Sequence, residues 1–146
     1  MPDEEKLDVP LAIERLNEAL ELQYRSALEY ALLSGGLLGF EFQGLREPLA
    51  EAAGRELEDV KLLIEKITAL DGEPTTDVAG FGWNGDPRSA VDELIAHEEA
   101  AITALQAAIE PTGREGVSEA LEHLLEHSIL RKQRQADFLL RARRTS

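Results

Sequence analysis

Hydrophobic residues recur every three to four positions over four long stretches of the chain, which predicts four amphipathic α-helices. A polar residue interrupts each apolar stripe near its middle. These residues are Gln23 in the first stretch, Glu56 in the second, Glu98 in the third and Ser128, Lys132 and Gln135 in the fourth. An unpaired charge inside a helical bundle is costly, so Glu56, Glu98 and Lys132 are expected to meet one another, a metal, water or a ligand.

Proline and glycine residues mark the ends of the predicted helices. Pro10 and Pro48 suit first helical turns, and Asp86 before Pro87 is a strong start signal because Asp is a favoured N-cap. Gly35 and Gly36 follow the first apolar stripe, as expected where a helix ends. The predicted elements are an acidic extension over 1–8 and helices over about 10–34, 46–71, 87–110 and 115–143.

The lengths of the connections predict how the helices are arranged. The first and second helices are joined by a short segment, and so are the third and fourth, which favours antiparallel neighbours. The segment GEPTTDVAGFGWNGDP between the second and third helices is long enough to cross the bundle. The sequence therefore predicts an all-α, antiparallel four-helix bundle with a long crossover between helices 2 and 3, in one domain over 1–146. This is the ferritin-like topology.

Composition narrows the classes of partner. The chain has 146 residues, no cysteine and a formal net charge of −14 at pH 7. This charge argues against a nucleic-acid partner, which would need a basic face, and the lack of cysteine excludes a thiolate metal site. No stretch is long and apolar enough to cross a membrane. The acidic start MPDEEKLDVP contains no hydrophobic signal region, so a cytoplasmic location is expected.

Four segments resemble the bacterioferritins and other ferritin-like proteins, and together they cover nearly the whole chain. The segments are LNEALELQYRSALEYALL, ELEDVKLLIEKITALDGEP, LIAHEEAAITALQAAIE and RKQRQADFLL. The resemblance implies iron handling at a di-iron site with one Glu from each of two helices and a Glu-x-x-His pair from each of the others. The matching positions in this chain are Gln23, Glu56 with Asp59, Glu98, and Lys132 with Gln135.

The matched positions keep three oxygen donors, Glu56, Asp59 and Glu98, but contain no histidine. Lys132 has no lone pair when it is protonated, and its charge repels a divalent cation. Two interpretations stay open. One is a reduced site of Glu56, Asp59 and Glu98 for iron or another divalent metal. The other is a metal-free core network formed by Gln23, Glu56, Glu98, Lys132 and Gln135.

These two interpretations give two hypotheses for function. The first is iron handling by family resemblance, with ferroxidase activity that is absent or weak because both Glu-x-x-His pairs are missing. The second is a metal-free scaffold that binds a partner, a small apolar ligand or its own copies. No cofactor follows from the residues alone. The haem that the family resemblance implies is not expected, because its methionine position is Leu57 and the only methionine is Met1.

Two further patterns concern the histidines and assembly. His97 is expected at a flank of the bundle, and His123 and His127 are expected on a solvated acidic face. The chain also lacks the short fifth helix of shell-forming bacterioferritins, which favours a dimer or small ring over a cage. Self-association is predicted from an apolar stretch that contains Tyr30, Leu32, Leu33, Leu37, Leu38, Phe40 and Phe42.

Overall fold

Helices account for all the regular secondary structure in the computed structural model, which describes residues 6–110 and 116–145, without the side chains of 116–118 and 145. The elements are α1 (Val9–Gly36), a short 3-10 helix (Phe40–Leu45), α2 (Arg46–Ala69), α3 (Pro87–Ile109) and α4 (Gly116–Thr145). The predicted all-α fold of four long helices is confirmed. No helix in these ranges has the length and apolar character needed to span a membrane. Residues 1–5 of the predicted extension and the predicted start of the fourth helix at residue 115 lie outside the described residues.

Aspartate caps fix the starts of α1 and α3. The Asp8 side chain accepts a hydrogen bond from the backbone N–H of Leu11 at 3.3 Å, and Asp86 accepts one from the backbone N–H of Ser89 at 3.2 Å. A proline occupies the first turn of each of these helices. Because proline lacks the N–H that would be unpaired there, the local sequence sets where both helices begin.

The long connection between α2 and α3 runs beside α1 from one end of the bundle to the other. At one end, Gly72 packs so closely on Ile13 that a Cβ atom would lie 2.8 Å from the isoleucine side chain. At the other end, Trp83 lies over Gly36, where an added Cβ atom would be 2.6 Å from the indole ring. The connection therefore crosses the bundle, as predicted from its length.

A polar layer separates two apolar clusters in the bundle. The order along α1 shows this arrangement, because Leu16 and Leu20 belong to one cluster and Tyr30 and Leu33 to the other. Gln23 lies between the two pairs and is buried. The polar interruption of the apolar stripe is thus a layer of polar side chains in the middle of the core.

The apolar stretch that suggested self-association is mostly core, so the prediction that it forms one exposed patch is wrong. Only Leu38 and Phe40 are strongly exposed, at 68% and 98% of their surface. The inner face of α1 continues into the turn before α2, and its side chains close this end of the bundle. The buried members of the stretch are Tyr30, Leu33, Leu37 and Phe42.

Candidate functional site: a buried lysine between two glutamates

Lys132 lies at the centre of the polar layer, and its side chain is fully buried. Its Nζ atom donates to Glu56 Oε1 at 3.0 Å and Oε2 at 3.1 Å, and to Glu98 Oε1 at 3.0 Å. The hydroxyl oxygen of Ser26 is 3.3 Å from the same nitrogen. One ammonium group therefore bridges carboxylates from α2 and α3.

Glu56 receives further hydrogen bonds from two amide side chains. Gln135 Nε2 donates to Glu56 Oε1 at 2.8 Å. Gln23 Nε2 donates to the other carboxylate oxygen and also to the backbone carbonyl of Glu56 at 3.0 Å. Both oxygens of Glu56 thus accept from a cation and an amide, which is the pattern expected for an ionised carboxylate in a core.

Glu98 is held in the same way by two hydroxyl groups. Ser26 donates to Glu98 Oε1 at 2.7 Å, and Tyr30 donates to Oε2 at 3.0 Å. Gln135 Nε2 lies 3.2 Å from Oε2 as well. We refer to the whole set as the central cluster, which consists of Gln23, Ser26, Tyr30, Glu56, Glu98, Lys132 and Gln135.

The sequence pattern missed part of this cluster. Gln23, Glu56, Glu98, Lys132 and Gln135 were expected in the core network, and the structure brings all five together. Ser26 was not expected there, and Tyr30 was treated as an apolar core residue. The spacing contained the signal, because residues three and seven positions after Gln23 share its helical face.

The buried charges shift one another's pKa values unequally. Burial is the largest single influence on Glu56 and opposes its ionisation, but the charge of Lys132 and the hydrogen bonds from Lys132, Gln23 and Gln135 together outweigh it and hold the pKa of Glu56 below its usual value. Burial raises the pKa of Glu98, and Lys132, which contacts only one of its oxygens, offsets part of this rise. Burial alone would lower the pKa of Lys132, but the two carboxylates reverse this and raise it. The lysine is therefore a cation in the folded protein.

Asp59, the third predicted oxygen donor, pairs with a residue outside the central cluster. Its Oδ1 atom accepts a hydrogen bond from Arg131 Nη1 at 2.9 Å. Its Oδ2 atom is buried and has no hydrogen-bond partner among the residues described. Burial raises the pKa of Asp59, although the guanidinium of Arg131 acts against this shift. Asp59 thus lies next to the central cluster and pairs outside it.

The residues at the centre do not fit a di-iron site. The ammonium of Lys132 lies in hydrogen-bonding contact with Glu56 and Glu98, where a bridging metal would need their oxygens. Asp59 is paired with a guanidinium instead of facing them. Over residues 6–110 and 116–145, no group of three or more His, Asp or Glu side chains is arranged to hold a metal ion.

A second buried carboxylate lies at the side of the bundle and binds a histidine. His97 Nδ1 is 2.7 and 2.8 Å from the two oxygens of Glu29, and Arg25 Nε is 3.8 Å from the first. Arg25 also donates from Nη1 to the carbonyl of Gly80 in the crossover at 3.2 Å. Burial raises the pKa of Glu29 despite His97 and Arg25. We refer to Arg25, Glu29 and His97 as the flank cluster.

The other two histidines, His123 and His127, are exposed on α4. Their placement agrees with the solvated face expected from the sequence.

The sequence matches the ferritin-like domain over residues 13–142. The chain belongs to the ferritin-like family. Among curated proteins, none matches it significantly. In this ferritin-like chain the helices that carry the family's metal ligands are present, but a lysine from α4 joins the glutamates of α2 and α3.

Solved structures of ferritin-like proteins share the fold over most of their length. A ferritin-like, diiron-carboxylate protein from Bacillus anthracis is 26% identical, with a TM-score of 0.84 over 92% of this chain and 96% of that one. The dodecameric thioferritin of Bacteroides fragilis is 20% identical, with a TM-score of 0.83 over 94% and 86%. The bacterioferritin of Rhodobacter capsulatus, solved with a metal-free dinuclear site and haem iron, is 21% identical, with a TM-score of 0.79 over 92% and 83%.

Proposed function

We propose that this ferritin-like protein works without a di-iron centre, as a metal-independent binding or scaffold protein. The observation that carries the proposal is the contact of Lys132 Nζ with both Glu56 and Glu98 at 3.0 Å, inside a fully buried site. A metal bridging these glutamates would have to displace the ammonium and leave it without its partners in the core, which is unfavourable.

Iron binding and oxidation test this proposal directly. Purified protein is titrated with ferrous iron without oxygen, and its absorbance is then followed by stopped flow after mixing with air. We expect no stoichiometric binding and no fast protein-dependent oxidation, because the cluster offers no imidazole and the ammonium of Lys132 already occupies the oxygens of Glu56 and Glu98. A fast phase that Glu56→Ala or Glu98→Ala abolishes would overturn the proposal.

A variant with the family's ligand types shows whether the bundle itself can hold metal. The variant combines Gln23→Glu, Asp59→His, Lys132→Glu and Gln135→His. We expect it to bind divalent iron or cobalt where the wild type does not, provided that circular dichroism shows an unchanged helical content. This comparison separates a missing ligand set from a bundle too narrow for metal.

Iron handling at Glu56, Asp59 and Glu98 is the second candidate, and one observation favours it. Asp59 Oδ2 is buried without a hydrogen-bond partner in the described part of the chain, so it retains an acceptor position. This candidate requires weak binding of a divalent metal that Asp59→Asn removes. The same anaerobic titration therefore distinguishes the two functions.

We also propose that the protein forms a homo-oligomer in the cytoplasm and binds no nucleic acid. The thioferritin from Bacteroides fragilis is dodecameric, and Leu38 and Phe40 offer exposed apolar surface beside each other here. The net charge of −14 does not favour a phosphate backbone. Light scattering should report at least a dimer. Phe40→Asp should lower the mass, whereas Leu130→Asp, at another exposed apolar position, should leave it unchanged.

A further inference from the structure

A groove opens between α2 and α4, beside the central cluster. Its volume is about 430 Å³, within the range of sites that hold small organic ligands. Leu49 and Ala52 of α2 line one wall, and Phe138 and Leu139 of α4 line the other. The groove therefore offers apolar surface to a ligand that enters between the two helices.

Arginine side chains give the groove a positive charge. Arg55, Arg131 and Arg134 line it, and Glu51 is its one acidic lining residue. Asp59 pairs with Arg131, so the three guanidinium groups and the carboxylates of Glu51 and Asp59 leave a formal excess of one positive charge, three minus two. Because the chain as a whole carries −14, this positive patch has the opposite sign to most of the surface and attracts anions.

Only some of the N–H donors of these guanidinium groups are bonded to other residues of the protein. Arg131 is paired with Asp59, and Arg55 donates one bond from Nε to Gln135 Oε1 at 3.3 Å. Arg134 is exposed and forms no ion pair with any residue in the described ranges. Donor groups therefore remain for a ligand, and guanidinium binds carboxylates with two parallel hydrogen bonds.

The floor of the groove sets the orientation of a bound ligand. Tyr30 and Gln135 form the floor, and both donate to the glutamates of the central cluster. Negative charge lies directly behind this floor, so an anionic head group is repelled there. The head group is therefore expected to bind at the arginines, and an apolar chain is expected to pack against Leu49 and Phe138.

We propose that this groove binds a single-chain organic carboxylate, with its carboxylate at Arg55 and Arg134 and its hydrocarbon chain between α2 and α4. The inference rests on the proposed function in one respect, since a binding protein without a di-iron centre needs a ligand elsewhere. Metal uptake and carboxylate binding are measured separately, so either proposal can fail alone.

Calorimetric titration with decanoate, below the concentration at which it forms micelles, tests the site. We expect one decanoate per chain with a dissociation constant on the order of tens of micromolar, from the usual energy per ligand atom. Decyltrimethylammonium has a similar chain with the opposite charge and should bind at least about tenfold more weakly. Acetate, which lacks the chain, should not bind measurably. Equal binding of the cationic and anionic amphiphiles would overturn the proposal.

Substitutions at the groove locate the binding. Arg134→Gln and Arg55→Gln should each weaken decanoate about threefold to tenfold, and the double variant should lose more. Arg88→Gln makes the same charge change on α3, outside the groove, and should alter the affinity less than about twofold. Unchanged affinity in the double arginine variant, or equal loss in Arg88→Gln, contradicts the assignment.

Thermal unfolding supplies a readout that shows whether each variant is folded. Decanoate should raise the melting temperature of the wild type and of Arg88→Gln, but raise it much less in the double arginine variant. If the wild type is oligomeric, does not bind decanoate, and binds it only when Phe40→Asp, which lies outside the groove, lowers the mass of the assembly, a second copy of the chain covers the groove. That result would also overturn the carboxylate site.

Discussion

Two buried glutamate sites in this bundle have different kinds of partner. In the central cluster, the ammonium of Lys132 is fully buried and bridges Glu56 and Glu98. In the flank cluster, Glu29 is also buried, though less deeply, and its closest partner is the imidazole of His97, whose side chain is 26% exposed. An ammonium with a raised pKa stays charged, whereas an imidazole is charged only when protonated.

This difference follows from where each site lies in the fold. The central cluster is enclosed between two apolar clusters on all four helices, so its charged groups must find their partners within the core. The flank cluster lies under the crossover, and Arg25 joins it to the carbonyl of Gly80. The first site joins side chains from all four helices in the core, and the second ties a connecting segment to the bundle.

The largest expected effect comes from removing the central cation. Lys132→Met keeps a long side chain but leaves Glu56 and Glu98 buried without their counter-ion. We expect the free energy of unfolding to fall by about 3–5 kcal/mol, the usual cost of breaking a buried ion pair. Urea denaturation followed by circular dichroism measures this loss. A change below about 1 kcal/mol would mean that the lysine is not the principal partner of the glutamates.

A charge-free version of the same site separates the loss of the pair from the loss of packing. In the variant with Lys132→Met, Glu56→Gln and Glu98→Gln, no charge remains in the central cluster. We expect it to recover more than half of the stability that Lys132→Met alone loses, because unpaired buried charges cause most of the loss. If the two variants are equally unstable, the packing of the lysine stem is responsible instead.

The flank cluster should respond less to the loss of its histidine. His97→Ala leaves Glu29 with Arg25 at 3.8 Å, and burial already raises the pKa of Glu29. This carboxyl can therefore take up a proton when its partner is removed. We expect a loss of about 1–3 kcal/mol, as for one bond to a charged group. A loss equal to that of Lys132→Met would erase the distinction between the two sites. Glu29→Gln in the His97→Ala background should restore part of the stability.

The sequence predicted the central cluster better than the flank cluster for a physical reason. Gln23, Glu56, Glu98 and Lys132 interrupt apolar stripes, and a polar residue on an inward face must find a partner in the core. Glu29 and His97 lie beside the stripes, where polar residues are usual, so periodicity gave no sign that they pair. The starts of α1 and α3 depend on local sequence, because an aspartate caps each of them, at Asp8 and Asp86.

The groove was beyond sequence reasoning for a different reason. Two of its arginines, Arg131 and Arg134, occur in a segment where many residues are basic, so their charge alone does not indicate a binding site. The distance between neighbouring helices in a bundle also cannot be predicted from the sequence of one helix. No role was predicted for Arg131 or Arg134 from the sequence. The structure instead directs Arg131 towards Asp59 and places Arg134 at the groove.

Asp59 shares features with both kinds of site, because it is a buried carboxylate with a partly exposed cationic partner. Its titration gives the smallest and most specific test of the comparison. Its partner Arg131 is always charged but partly exposed, and burial raises the pKa of Asp59 above its ordinary value of 3.8. The folded protein therefore takes up this proton at a higher pH than the unfolded chain does, so the contribution of Asp59 to stability increases as the pH falls towards 3.8. At constant ionic strength, the urea midpoint of the wild type should rise relative to that of Asp59→Asn as the pH is lowered from neutrality. Arg131→Gln removes the opposing attraction and should enlarge the pH effect in the same direction. If the wild type instead loses stability relative to Asp59→Asn over this range, then Arg131 neutralises Asp59 as completely as Lys132 neutralises Glu56, and partial exposure of the cation makes no difference.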